Sequence, residues 1–313
     1  MTGVLDPDRF LGGKMKLNKP KAERLLDEKI ARPLGLNLLE AADGVLKIIN
    51  TKMEEAIKAV SSARGYDIRD FTLVAFGGGG PMHAGRMALD LGIPSVLVPL
   101  TPGVHSALGL LMSDVKHDYV RSKLAGLEEL DLNEINQMFL QLIDQAEADL
   151  HGEGFHDDEI KIEPYLDLRY AGQGYELTVP CTMPPLSKPD LTLMRGRFDT
   201  LHEQNSGHKA EAEPVELVSL RLVSLGLVPQ AKLSPGKITG RKVEAARSGE
   251  RKVFFGKEHG VLATAIYTRA LLEPGHSIIG PAIVEQLDTT TVIHPEQEAA
   301  VDGYGNIMIK ERH

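Results

Sequence analysis

Four consecutive glycines, Gly77 to Gly80, stand between a short apolar run and Pro81. Glycine has no Cβ atom, so such a backbone can approach a ligand closely and can adopt positive φ angles. Pro81 suits the first turn of a helix, and a helix start offers N–H groups and partial positive charge to an anion or a polar ring edge. This order of residues favours a nucleotide-binding loop. A tight strand–helix turn without a ligand would have the same pattern.

The glycine loop matches neither of two common phosphate-binding motifs. No Gly-Lys-Ser or Gly-Lys-Thr follows the glycines, so the loop is not a Walker motif. A dinucleotide-binding loop needs Gly-x-Gly-x-x-Gly and an acidic residue roughly 20 positions further on. No Asp or Glu follows Val96 at that place. A nucleotide bound here therefore requires a different kind of site.

The segments around the loop are predicted to form a parallel α/β unit. Residues 71–76 are a short apolar run typical of a buried strand, a helix is expected over 82–91, and 93–99 is the next predicted strand. Strand, loop, helix and strand in this order are typical of a right-handed parallel crossover. An earlier helix is predicted to begin at Asn37, with Glu40 completing a capping box.

The later segments predict further α/β structure and a β-rich end. Apolar spacing predicts helices in 127–154 and 191–206, a strand pair in 160–180, and a strand in 215–228. The basic stretch 229–252 is predicted to be an exposed loop that leads into a last domain made of short β-strands. The predicted ranges are a nucleotide-binding α/β segment at 1–125, the remaining α/β region at 126–230, and a β-rich domain at 231–313.

Polar side chains outside the loop are weaker candidates for a site. Gln173 lies between Gly172 and Gly174 of a predicted turn, and Glu176 follows two residues later; they either line a substrate channel or hold a bulge by hydrogen bonds. His202 and Glu203 either form an acid–base pair or belong to a surface helix turn. Cys181 has no base beside it in sequence, which argues against a nucleophile. No catalytic residue is assigned.

Two histidines, His83 and His105, flank the loop region but do not predict a metal site. A metal centre needs a third or fourth ligand at suitable spacing, and none accompanies them. We interpret both as structural. Asp288 begins a Thr-rich stretch in the β-rich region and is interpreted as a turn-capping residue. No metal ligand is assigned in this sequence.

The composition is that of an acidic globular protein. The chain has 35 Lys and Arg against 44 Asp and Glu, a net charge of −9, and 42% hydrophobic residues. An acidic chain gains nothing from counterion release, so a nucleic-acid partner is not expected. The single cysteine excludes an internal disulfide. No apolar run approaches roughly 18 residues, so no membrane association is expected and the predicted location is the cytoplasm.

Six blocks of the sequence resemble the hydantoinase A/5-oxoprolinase family, in the family's order. The block at the glycines reads LVAFGGGGPMH, where the family usually has AFGGAGPLHA, so Gly79 stands where relatives carry alanine. The blocks lie at 5–13, 73–83, 98–111, 168–177, 214–221 and 280–291. Together they run over nearly the whole chain.

This resemblance implies an α/β fold class: the second half of an actin-like (RNase H-like) ATPase fold, followed by a β-rich C-terminal domain. In such a fold the glycine block holds the adenosine end of ATP. The resemblance therefore implies nucleotide contacts from Gly77, Gly78, Gly79, Gly80 and Pro81. Family members use ATP to activate a cyclic amide such as a hydantoin or 5-oxoproline, and the related acetone and acetophenone carboxylases use it for carboxylation.

The Asp-containing phosphate loops of the family are not found in this sequence. Those loops would bind the phosphates and Mg²⁺ of ATP, where phosphoryl transfer needs electrostatic stabilisation. We therefore expect a C-terminal fragment or subunit of a cyclic-amide hydrolase, inactive alone, that works with a missing N-terminal half or a partner subunit. Self-association into a homo-oligomer is also considered. The alternatives are a subunit of an acetone- or acetophenone-type carboxylase and a non-catalytic nucleotide-binding assembly subunit.

Overall fold

The computed structural model describes residues 1–229 and 232–312. The helices are α1 Lys19–Leu26, α2 Arg32–Leu34, α3 Leu38–Val60, α4 Gly80–Leu91, α5 His105–Leu111, α6 Leu132–Gly152, α7 Lys188–Ser206 and α8 Gly256–His259. The strands are β1 Thr72–Val74, β2 Ser95–Val98, β3 Val115–Gly126, β4 Ile160–Tyr170, β5 Leu177–Pro180, β6 Val215–Gly226, β7 Arg247–Phe254, β8 Val261–Thr268, β9 Ser277–Ile279, β10 Ala282–Glu285, β11 Thr290–Ile293, β12 Gln297–Val301 and β13 Ile307–Glu311. The chain forms two compact units, Met1–Leu111 with Lys232–His313, and Met112–Ala231.

The first unit contains two sheets. One has five strands in the order β1-β2-β13-β12-β9, and the other has four in the order β11-β10-β8-β7. β1 and β2 are parallel, and α4 connects them, as the sequence predicted. β13 pairs antiparallel with β2, with Ile307 opposite Val98. The last strand of the chain therefore lies beside a strand from its first hundred residues.

This pairing gives a division that differs from the three predicted ranges. The sequence predicted a separate β-rich domain at 231–313, but β13 and β12 share a sheet with β1 and β2. Strand pairing between distant segments leaves no local signal in the sequence. The predicted loop at 229–252 also differs, because β7 begins at Arg247. Gln230 and Ala231 of that loop, and His313, lie outside the described residues.

One face of α4 anchors the glycine loop to the core of the first unit. Ala84, Met87, Ala88 and Leu91 are buried and pack with apolar side chains of the five-stranded sheet. The spacing of these residues follows the helical period, and Gly92 ends the helix with φ +68°. These buried contacts therefore fix α4 against the five-stranded sheet.

The helix α3 begins where the capping box predicted. The backbone N–H of Glu40 donates to Asn37 Oδ1 at 2.9 Å, and the N–H of Asn37 donates to Glu40 Oε2 at 3.1 Å. These bonds satisfy two donors that a helix start would otherwise leave free. The prediction for this helix start is confirmed.

The second unit is an antiparallel sheet, with strand order β3-β6-β4-β5, packed with α6 and α7. Its largest fully buried side chains include Phe139 of α6 and Phe198 of α7. The predicted strand pair at 160–180 is present as β4 and β5. Across the described part of the chain, no helix has both the length and the apolar character that a membrane span requires.

Candidate nucleotide site

The glycine loop runs from the end of β1 into the first turn of α4. Gly77 has φ +78°, a conformation that favours glycine. Its N–H donates to the carbonyl of Pro102 at 2.7 Å, and the N–H of Met82 donates to the carbonyl of Gly79 at 3.1 Å. The predicted residues Gly77 to Pro81 therefore lie in one turn between a strand and a helix start.

The loop presents an open backbone surface. A Cβ atom placed on Gly77 or Gly79 would meet no atom within 4 Å, and one on Gly78 would lie 3.4 Å from the carbonyl oxygen of Asp288. The N–H groups of Gly78 and Gly79 donate to no other group of residues 1–229 and 232–312. Free donors beside unobstructed space are what a loop needs to bind a polar ligand.

Two segments distant in sequence pack against this loop. The hydroxyl of Thr289 donates to the carbonyl of Gly78 at 2.9 Å. The Asp288 carboxylate lies so close to Gly103 that a Cβ there would be 2.1 Å from Asp288 Oδ2. The rings of Phe76 and His105 lie 5.4 Å apart, centroid to centroid. Three of the six family-like blocks thus converge on one site.

Sequence reasoning missed the position of Asp288. It was interpreted as a turn cap, whereas its carboxylate contacts the Pro102–Val104 turn beside the glycine loop. Asp288 Oδ1 and His105 Nδ1 are both buried, and neither has a hydrogen-bond partner among the residues described. Buried polar atoms usually have a partner, so these two require an explanation. Only the fact that both lie in family-like blocks could have indicated them.

His83 belongs to a different environment, on the flank of α4. Its Nδ1 lies 2.8 Å from Asn50 Oδ1, and burial lowers the pKa of the ring. Within the described ranges, no group of three or more His, Cys, Asp or Glu side chains is arranged to hold a metal ion. The hydrogen bond to Asn50 agrees with the structural interpretation of His83.

A cavity of about 890 Å³ lies on this flank, within the first unit. Its walls come from the N-terminal segment, α1, α3, α4, the β7–α8 region and the end of β11. Met82, His83, Arg86 and Asp90 of α4 line it, but none of Gly77 to Pro81 does. The helix α4 therefore serves two surfaces: the loop at its start and the cavity along its side.

The candidates Gln173 and Glu176 lie in the second unit. Gln173 Oε1 accepts from the N–H of Tyr170 at 3.2 Å, and its Nε2 lies 3.1 Å from His202 Nε2. These bonds hold the turn between β4 and β5, which is the second of the two roles considered for Gln173. Glu176 is exposed. A channel role for the two residues stays a prediction.

The remaining candidates do not form a reactive site. His202 is fully buried, and its Nδ1 lies 2.8 Å from the carbonyl oxygen of His208. Glu203 on the same helix is exposed, and its carboxylate is 4.0 Å from Lys209 Nζ. The surface interpretation of His202 is therefore wrong, because its ring packs between Tyr170 and neighbouring aromatic rings. Burial raises the pKa of Cys181 to about 11, so its thiolate is scarce at neutral pH.

Comparison with known families accounts for both parts of the chain. Residues 1–119 match the model of the hydantoinase/oxoprolinase family, and residues 128–312 match that of the hydantoinase/oxoprolinase C-terminal domain. The chain belongs to the hydantoinase/oxoprolinase family. The resemblance seen in the six sequence blocks is confirmed.

Curated relatives of this hydantoinase/oxoprolinase chain include a caprolactamase subunit and a carboxylase subunit. It is 38% identical to an uncharacterized protein of Methanocaldococcus jannaschii, over 97% of this chain and 42% of that protein. It is 31% identical to the caprolactamase subunit alpha of Pseudomonas jessenii, over 96% and 44%. It is 32% identical to the acetophenone carboxylase gamma subunit of Aromatoleum aromaticum, over 98% and 43%. The chain thus spans less than half the length of these relatives.

Two solved structures share the fold. The ATP-dependent caprolactamase of Pseudomonas jessenii matches with a TM-score of 0.80 and 30% identity, over all of this chain and 46% of that one. Nucleotide-free acetone carboxylase matches with a TM-score of 0.80 and 24% identity, over 99% and 45%. At 24% identity, the likeness to acetone carboxylase concerns the fold alone.

We predict that Gly103→Ala destabilises the first unit by about 1–3 kcal/mol, because the new methyl group overlaps the Asp288 carboxylate and must displace it. Gly109→Ala in α5 is the matched control, since a Cβ there meets nothing within 4 Å. Chemical denaturation of both variants gives the comparison. Equal stability of the two variants would show that Asp288 does not pack against Gly103.

A pH dependence follows from His294, which lines the cavity. Burial lowers its pKa from 6.5 to about 4. Between these values the unfolded chain binds more protons than the folded chain, so the free energy of unfolding falls as the pH falls from about 6.5 to about 4. We expect His294→Gln to remove up to about 3 kcal/mol of that loss. Denaturant titrations across this pH range measure it, and an unchanged slope in the variant would contradict the assignment.

Proposed function

We propose that this chain forms the nucleotide-binding part of an ATP-dependent enzyme that hydrolyses cyclic amides. The observation that carries the proposal is the open glycine surface at the start of α4, in a chain of the hydantoinase/oxoprolinase family. The likeness to an ATP-dependent caprolactamase supports both ATP and a cyclic amide. In this proposal the first unit is the second half of an actin-like fold, and Gly77 to Pro81 contact the adenosine end of ATP.

The residues present fit such a ligand. Gly78 and Gly79 offer free backbone N–H donors beside open space. Asp288 and His105 each have a buried polar atom that this chain leaves without a partner. A small rearrangement of the loop would let a ribose hydroxyl or an adenine nitrogen pair with these atoms. ATP supplies the phosphoryl group that activates an amide oxygen, and these residues of the chain bind and orient the nucleotide.

The phosphates and Mg²⁺ would be bound outside this chain. Its relatives are more than twice as long as the region that matches, so a second polypeptide region has room to supply these ligands. This chain therefore acts with an N-terminal half or a partner subunit and is inactive alone. Gln173 and Glu176 are proposed as part of the substrate path on the second unit, with Gln173 positioned by its bonds to the turn.

A second function has comparable support in the comparisons. The acetophenone carboxylase gamma subunit is as similar in sequence as the caprolactamase subunit. In that case the same nucleotide site would serve a carboxylation. A nucleotide-binding assembly subunit without catalysis is the third arrangement, and the turnover experiment below separates it from the first two.

We predict that Gly79→Val weakens ATP binding at least about tenfold, which corresponds to about 1.4 kcal/mol. The branched side chain fills the space in front of the loop, where a Cβ meets no protein atom and therefore leaves the fold undisturbed. Gly79→Ala is the control at the same position. The family usually carries alanine there, and alanine and valine are similarly poor helix N-caps, so the two variants differ mainly in side-chain size. Calorimetry on the complete enzyme measures both affinities. Equal affinity for the two variants would remove the loop from the nucleotide site.

We also predict that the pure chain releases no phosphate from ATP on addition of hydantoin, 5-oxoproline or caprolactam. Adding the separately produced remaining part of the enzyme should give co-elution and amide-dependent phosphate release, since ATP bound by both parts stabilises their complex. Amide-dependent turnover by the pure chain would overturn the shared-site proposal. Bicarbonate-dependent consumption of a ketone would favour the carboxylase function. Co-elution without any turnover would favour an assembly subunit.

A further inference from the structure

The cavity beside α4 contains a polar pair that the nucleotide site does not use. Asn50 of α3 and His83 of α4 both line it, with Asn50 Oδ1 and His83 Nδ1 2.8 Å apart. The volume of about 890 Å³ lies in the range of small-molecule sites. Apolar side chains form much of the remaining wall, among them Leu46, Met82, Phe255 and Val292. An apolar wall with a few convergent polar groups is typical of a ligand pocket.

The hydrogen bond within the pair leaves one donor and one acceptor of the two side chains unused. When Asn50 Oδ1 accepts from His83 Nδ1–H, the Asn50 amide N–H₂ remains a donor and His83 Nε2 remains an acceptor. With the amide turned over, Asn50 Oδ1 is the acceptor and His83 Nε2–H is the donor. Both arrangements therefore leave one donor and one acceptor free. No further partner of either side chain occurs in the described parts of the chain.

A small-ring amide has the complementary pattern. Its ring forces the amide into the cis form, so that the C=O acceptor and the N–H donor point to the same edge of the molecule. Such an edge can pair with one donor and one acceptor at once, while the methylene groups of the ring contact the apolar wall. A trans amide directs these two groups to opposite sides and cannot pair with both.

The charges of the cavity select against an anionic ligand. Its Lys and Arg side chains are all engaged in ion pairs: Lys19 with Glu23 at 3.6 Å, Lys47 with Asp43 at 2.9 Å, Arg86 with Asp90 at 2.5 Å and Lys257 with Glu40 at 3.0 Å. Two lining carboxylates, Glu54 and Glu258, have no ion pair within 4.0 Å in the described ranges. A carboxylate on the ligand would meet this unpaired negative charge, and among the described lining groups the amino group of Met1 is the one cation outside an ion pair.

The histidines of the cavity supply no charge either. Burial lowers the pKa of His83, and it lowers the pKa of His294 to about 4. Both rings are therefore neutral near pH 7, where they act as hydrogen-bonding groups and not as cations.

We propose that this cavity binds the cyclic-amide substrate, that Asn50 and His83 recognise the cis-amide edge, and that the substrate is a lactam without a carboxylate. The inference rests on the proposed function, because it names the substrate class of that reaction. It also distinguishes caprolactam-like substrates from 5-oxoproline, which carries a carboxylate.

The first test compares ligands on the unmodified chain without ATP. Caprolactam should bind saturably and shift the methyl signal of Met82, which lines the cavity and can be assigned with Met82→Leu. N-methylcaprolactam lacks the N–H, and 5-oxoproline adds a charge, so each should bind at least about tenfold more weakly. Absence of saturable caprolactam binding would overturn the proposal, and so would equal binding of all three ligands.

The second test uses variants of the pair. Asn50→Leu and His83→Phe should each weaken caprolactam binding at least about tenfold, because a polar edge of the ligand loses its partner. Lys52→Gln, on the exposed side of α3 and outside the cavity lining, is the matched control and should change a neutral ligand's affinity less than about twofold. Circular dichroism checks that each variant is folded. Equal losses in all three variants would show a general effect on the cavity and overturn the role of the pair.

The two proposals can fail separately. Gly79→Val should leave caprolactam binding unchanged, because Gly79 does not line the cavity. Lactam binding that depends on Asn50 and His83, without any nucleotide affinity in the complete enzyme, would refute the nucleotide site and keep the cavity assignment. Nucleotide binding that depends on the loop, with no lactam in the cavity, would refute only the further inference.

Discussion

The antiparallel pairing of β13 with β2 is the constraint on which the first unit depends. Four residue pairs, from Ile307 with Val98 to Lys310 with Ser95, join the last described strand to the segment that carries the glycine loop. The pairing places the C-terminal strands against the parallel pair β1 and β2 and completes a five-stranded sheet. Thr289 and Asp288 can then contact the glycine loop, although more than 200 residues separate them from Gly78.

The helix α4 connects this sheet to both candidate surfaces, the glycine loop at its start and the cavity along its side. Its buried side, with Met87 and Leu91, is fixed against the sheet. Gln297 of β12 reinforces this contact by donating to the carbonyl of Gly85 at 3.0 Å, and a Cβ on Gly85 would lie 2.8 Å from Gln297 Oε1. A helix held so closely is a rigid element, which is what a loop at its start and a polar pair on its flank need for a defined geometry.

In the second unit, buried polar groups form hydrogen bonds that stabilise its own fold. Asp167 is buried and accepts from Ser219 at 2.5 Å, Thr178 at 2.6 Å and Arg221 at 3.1 Å. Tyr170 donates to Asp199 at 2.6 Å. These networks join β4, β5 and β6 to one another and β4 to α7. Buried polar groups must be satisfied whether or not they serve a site.

The local elements of the site were determined by the sequence alone. Glycines that allow positive φ, Pro81 at a helix start, the capping box at Asn37 and the apolar period of α4 are short-range signals, and each predicted its element. The sequence also determined the family, because six family-like blocks in the family's order rarely occur by chance. Only the tertiary structure decided which distant segments meet: β13 beside β2, Asp288 against Gly103, and Asn50 against His83. Such contacts depend on strand register and helix docking over tens to hundreds of residues, and no local pattern of residue types records them.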